Sequence, residues 1–172
     1  MQKQIARCLL FLLTMQSVPV MAQSLDQVRS AVVRFRPVPD VGDTANLLLA
    51  LRRAGFTGSV LQITAHADDE NHGALTYLSR RLGARVGLLT LTHGEAFGNA
   101  LDDRVGSALG ALRTQELLAA DQYYGVDQFF TRAMDSGTVK DGPTALRLWG
   151  HEAVLEDVVR IIRFYRPDVR GY

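Results

Sequence analysis

The chain has 172 residues, the length of one domain. Its 47% hydrophobic and 22% charged residues and its mean hydropathy of +0.02 are globular values, which exclude collagen-like, coiled-coil and fully disordered chains and allow a sizeable core. The formal net charge is +1, and Lys3 and Arg7 at the N-terminus account for it, so the remainder is near neutral and gives no electrostatic case for binding nucleic acid or an anionic membrane surface.

Residues 1–22 read as a secretory signal peptide. Lys3 and Arg7 form a positive region, Cys8 to Met15 a short apolar run, and Val20-Met21-Ala22 a cleavage site before Gln23. The apolar run is far short of the ~20 residues of a membrane span, which disfavours a retained anchor. Cys8 opens the run instead of following it, which disfavours a lipoprotein. It is also the single cysteine, so the chain beyond the leader has no thiol, disulfide or thiolate metal ligand. Any metal there must be held by histidine and carboxylate. Export without disulfides points to a bacterial periplasm, with no stable membrane anchor once the leader is cleaved.

Residues 23–42, with two prolines, read as an N-terminal arm, and the domain proper is expected over 43–172. Asp43 is a plausible N-cap for a helix from Thr44 to Ala54, stopped by Gly55. Ser59–Thr64 is a strand, Asn71–Leu82 a helix ended by Gly83, and Ala84–Thr92 a near-continuous apolar strand suited to a sheet covered on both faces. A loop from His93 to about Asp103 leads to a helix over Ala108–Tyr123. A short strand, Asp127–Thr131, precedes a turn-rich loop over 135–143. One long helix is expected over Thr144–Tyr165, with Leu146, Trp149, Ala153, Val158, Ile162 and Tyr165 on its apolar face, stopped by Arg166-Pro167. Strands alternating with helices predict an α/β fold, a three-layer Rossmann-like sandwich with a mostly parallel sheet. Ligands in such sheets bind at the carboxyl ends of the strands, so the loops after Thr64, Thr92 and Thr131 are the places for chemistry.

Ala65-His66-Ala67-Asp68-Asp69-Glu70 follows the first strand directly. His66 and Asp69 can face one crevice across a tight turn, and imidazole nitrogen and carboxylate oxygen are both zinc ligands. Asp68 would stand free beside the metal as a general base for its bound water. Those are the parts for metal-assisted hydrolysis. The alternative for a bare His-x-Asp pair is a polar turn capping the next helix, but the full string is more specific.

The string AHADDE resembles the AHPDDE signature of the PIG-L/LmbE-like deacetylases, with Ala67 where that family usually has proline. Leu91-Thr92-His93-Gly94-Glu95 is similar to the family's T-x-G-E loop, and Leu112-Arg113-Thr114-Gln115-Glu116 to its R-x-x-E segment. Leu148-Trp149-Gly150-His151-Glu152 and Arg166-Pro167-Asp168-Val169 look like its exported branch. The resemblance spans about residues 43–169. It implies zinc-dependent removal of acetate from an N-acetylated amino sugar, with His66 and Asp69 as zinc ligands and Asp68 as general base. It also implies Arg113 and Glu95 as substrate-side residues. For Arg113 the alternative is a helix-surface pair with Glu116, and for Glu95 a solvated loop carboxylate.

The family's third ligand and its general acid are histidines beyond the Pro-Asp-Val strand, so the resemblance also implies that the C-terminal part of the domain is missing here. Of the other histidines, His93 is on the same strand-end rim as His66 and is the first suspect for a third ligand, whereas His72 and His151 read as structural or exposed. A catalytically inactive sugar-binding or interaction module of the same fold is the competing reading. No G-x-G-x-x-G, P-loop or G-x-S-x-G motif is present to support a nucleotide-binding protein or a serine hydrolase.

Overall fold

The structure, a computed structural model, describes residues 44–96 and 103–171. The leader, the arm over 23–42, the cap at Asp43 and the middle of the 93–103 loop lie outside the described residues. The elements run α1 (Thr44–Gly55), β1 (Ser59–Thr64), α2 (His72–Thr76) continuing as a π-helix (Tyr77–Leu82), β2 (Arg85–Thr90), α3 (Gly106–Tyr124), β3 (Asp127–Phe130), α4 (Gly142–Trp149), α5 (His151–Tyr165) and β4 (Val169–Gly171).

The four strands form one parallel sheet in the order β3-β2-β1-β4. Helices cover both faces, which is why β2 is apolar along nearly its whole length. On one face Val86 and Leu88 of β2 pack with Leu75 of α2, Leu117 of α3, Ala84 and Val126, flanked by Phe130 and Tyr124. On the other, Tyr165 of α5 lies edge-on to Phe129 of β3, with ring centroids 5.5 Å apart, and its ring carries the Arg85 guanidinium at 4.0 Å. The three-layer α/β reading of the sequence is therefore the observed one.

The order 3-2-1-4 puts a topological switch point at β1. Successive crossovers from β1 to β2 to β3 step one way, and the connection through α5 returns past β1 to place β4 on its other side. Asp168 secures that return. Its Oδ2 accepts hydrogen bonds from the Ser59 backbone N–H (2.8 Å) and hydroxyl (2.7 Å), and its own N–H donates to Ser59 O at 3.0 Å. The Ser59 donors hold the Asp168 carboxyl below its ordinary value. Crevices at such points, outside the strand carboxyl ends, are where open α/β sheets bind ligands.

Two helices depart from the periodicity of the sequence. The expected helix over Thr144–Tyr165 is broken at Gly150, whose left-handed conformation (φ 82°) ends α4 and starts α5. Apolar spacing carries straight through the break, so the pattern of Trp149 and Ala153 conceals it. The helix over Asn71–Leu82 widens into π geometry from Tyr77. There Ser79 Oγ bonds Tyr124 O, and Arg80 bonds Tyr123 O and Gln122 O, so the wide turn satisfies the last carbonyls of α3. The positive Arg80 also sits at the negative end of that helix.

Candidate active site

The AHADDE turn leaves β1 at the switch point. Its base is fixed by the segment after β2: Leu91 N–H donates to Thr64 O (2.9 Å), and Thr92 gives both its N–H and its hydroxyl to Ala65 O (3.0 Å each). The next residues then close on themselves. Asp69 Oδ2 accepts the His66 N–H at 2.9 Å and lies 3.2 Å from His66 Nδ1. The sequence reading set His66 and Asp69 toward one crevice across a tight turn, and in the structure their side chains lie within hydrogen-bond distance of each other. The Asn71 side chain caps the following helix through Ala74 N–H (3.0 Å), so the capping role belongs to Asn71 and not to the two aspartates.

The donor pair fits part of a zinc site. Zinc bonds to nitrogen and oxygen of about 2.0–2.1 Å at tetrahedral angles leave ligand atoms about 3.3 Å apart, close to the observed 3.2 Å. Among the described residues no group of three or more His, Cys, Asp or Glu side chains is arranged to hold a metal ion.

Asp68, between them in sequence, is exposed. With Ala67, Glu70, Arg113, Glu116, Leu117 and Ala120 it lines a pocket of about 280 Å³ between the turn and α3. This brings together the first motif and the R-x-x-E segment, with Asp68 exposed and Arg113 half-buried at its wall.

Glu95 is placed elsewhere. It is buried, it is not among the residues lining that pocket, and its Oε2 accepts the backbone N–H of Asp135 at 3.0 Å. Two glycines permit this arrangement. A Cβ on Gly94 (φ 72°) would meet Arg113 Cδ at 2.9 Å, and one on Gly110 would meet Glu95 Cγ at 2.7 Å. Gly110→Ala is expected to lower stability by about 1–3 kcal/mol through overpacking, and to loosen the Glu95–Asp135 contact. Urea denaturation of the variant checks the first, and amide-exchange protection at Asp135 the second.

Asp135 is the residue that sequence reasoning missed. Its side chain is 0% exposed, and its Oδ1 lies 3.5 Å from His66 Nε2. The loop that carries it, after β3, is held by Arg132, which donates to both oxygens of Asp157 on α5 (Nε–Oδ2 2.9 Å, Nη2–Oδ1 2.6 Å). Burial pushes the Asp157 carboxyl up, but the Arg132 bonds outweigh it and the net direction is down. The signal available in the sequence was the Asp135-Ser136-Gly137 turn on the third strand-end loop. Trp149 also reaches the site, edge-on to His66 with centroids 6.2 Å apart.

The remaining histidines stand apart from the pair. His93 stacks on Phe130 (4.3 Å), and its Nδ1 is 2.7 Å from Thr114 Oγ1. The Thr114 hydroxyl donates to Gly110 O, so it accepts from His93 Nδ1–H. Burial lowers the His93 pKa against a smaller opposing effect of Glu95. His72 is exposed, stacked on Tyr124 and paired with Glu70, and His151 is exposed and paired with Glu152.

No curated protein matches the chain. The PIG-L family model, described as GlcNAc-PI de-N-acetylase, matches residues 61–169, from β1 to the start of β4 and more than half of the sequence, and the chain belongs to that family.

Proposed function

We propose that the protein is a zinc-dependent hydrolase that removes acetate from an N-acetylated amino sugar, exported to the periplasm. Membership of a de-N-acetylase family supports the reaction class. The observation that carries the reading at residue level is the division of labour in the turn: His66 and Asp69 converge, while the adjacent Asp68 lines a pocket walled by Arg113.

His66 and Asp69 would hold the metal, which when bound polarises a carbonyl and makes water acidic enough to lose a proton near neutral pH. Asp68, exposed and one residue from Asp69, would serve as the general base and return a proton to the departing amine. Arg113 supplies fixed positive charge and N–H donors at the pocket wall, suited to sugar hydroxyls. Among the described residues no helix is long and apolar enough to cross a membrane.

Acetate released from N-acetylglucosaminides by the zinc-loaded protein, and abolished by chelator, is the expected result. Saturable sugar binding without acetate release would favour the inactive binding module instead.

A further inference from the structure

The pocket between the AHADDE turn and α3 is lined by Asp68, Glu70, Glu116 and Arg113, so three carboxylates meet one guanidinium there, and the rest of its lining is apolar. Asp68 and Glu116 are exposed, whereas the Glu70 side chain is 5% exposed. Glu70 Oε1 is within hydrogen-bond distance of His72 Nε2, at 3.1 Å. Glu70 Oε2 is buried and has no hydrogen-bond partner among the described residues.

A buried acceptor left without a donor costs free energy, and more so when it carries charge. The charge of Glu70 also reaches beyond the pocket. Burial raises the pKa of Asp121 and of Tyr124, and repulsion from Glu70 adds to the shift in both. The chain thus surrounds this carboxylate with groups that feel its charge and leaves one of its oxygens without a donor.

The ligand that answers such a site is a hydrogen-bond donor with positive charge. An ammonium group has a full charge and three N–H donors. An acetamide has one N–H and no charge. The proposed reaction converts the second into the first on the same sugar. The pocket volume of about 280 Å³ is close to the lower end of small-molecule cavities, about 300 Å³, which suits one sugar ring with its amine.

We propose that this pocket is an ammonium site that binds the free amino sugar more tightly than its N-acetylated form, with Glu70 as the residue that sets the preference. The proposal deepens the deacetylase reading and rests on it for its purpose, because the preferred ligand is the product of that reaction. The binding preference itself needs neither metal nor turnover. Its consequence for the enzyme is competitive inhibition by the product.

The test is titration of the metal-free protein at pH 6, where a sugar amine is protonated, with the methyl glycosides of glucosamine and of N-acetylglucosamine, followed by backbone amide chemical shifts. Metal-free protein removes any contribution from a bound cation. The glucosaminide is expected to bind about tenfold more tightly, the effect of one hydrogen bond to a charged group, with shifts centred on Glu70 and Leu117. The preference is expected to shrink as salt is raised. Glu70→Gln keeps the shape of the side chain and removes its charge, and is expected to abolish most of the preference. A purely structural Glu70 would cost stability in that variant without moving the ratio of affinities. Equal affinities in the wild type, tighter binding of the N-acetylated form, no saturable binding of the glucosaminide, or a ratio unmoved by Glu70→Gln overturns the proposal; the wild-type ratio decides even if the variant does not fold. Zinc-loaded protein that keeps the preference but releases no acetate would instead sink the hydrolase reading and leave the ammonium site standing, and acetate release without the preference would do the reverse.

Discussion

Asp68→Asn is expected to slow acetate release by about 10²–10⁴-fold, the usual contribution of a positioned general base, while zinc content is unchanged. Asp69→Ala, one residue along, is expected to lose the metal. The difference follows from the turn. Asp69 Oδ2 is tied to the His66 backbone and ring, whereas Asp68 is exposed and borders the pocket that Arg113 also lines. Asparagine keeps the shape of Asp68 and removes its ability to take a proton. Metal analysis and acetate kinetics on the two variants decide the matter, and equal zinc loss in both would refute the assignment of roles.

Removing the charge of Asp121 is expected to stabilise the protein at neutral pH and leave it unchanged in acid. Asp121 is 2% exposed, and neither carboxylate oxygen has a hydrogen-bond partner among the described residues. Burial, with repulsion from Glu70 added, raises its pKa from 3.8 to about 8. The same burial and the same two carboxyl groups raise Tyr124. The folded state therefore keeps a proton that the unfolded chain releases near pH 4. Wild-type stability falls as pH rises from about 4 to about 8, by about 1.4 kcal/mol per pH unit at most, and levels off above that window. Asp121→Asn abolishes this slope. Chemical denaturation of both proteins at pH 4.5 and pH 8, on the order of several kcal/mol apart for the wild type alone, checks it; parallel profiles would refute the assignment.

The fold was legible because each strand carries its own signature. SVLQIT spans β1 end to end, and the apolar run of β2 announces a sheet covered twice. The AHADDE turn was legible because its pattern is local: His66, Asp68 and Asp69 lie within four residues, directly after a strand end. Asp135 was hidden for the opposite reason. Its contact with His66 spans 69 positions in sequence and depends on Glu95 and on the loop after β3, so no local pattern marks it. The break at Gly150 was hidden because one glycine changes the backbone without interrupting the apolar spacing. Glu95 was legible as part of a motif, but its burial against Asp135 depends on Gly110, on another helix.

The return of the chain to β1 also has a consequence for the order in which the molecule assembles. Thr64 meets Thr90 across a separation of 26 residues, but the Ser59–Asp168 clasp joins positions 109 apart. Closing the longer loop costs about 1 kcal/mol more in chain entropy, and that cost falls due before β4 gains any contact. During synthesis the His66 turn leaves the ribosome before β2, α3 and β3, which can gather beside it, whereas the Asp168 clasp to Ser59, at the opposite end of β1, follows them. The AHADDE turn is thus made well before the strand that pairs with the far side of β1.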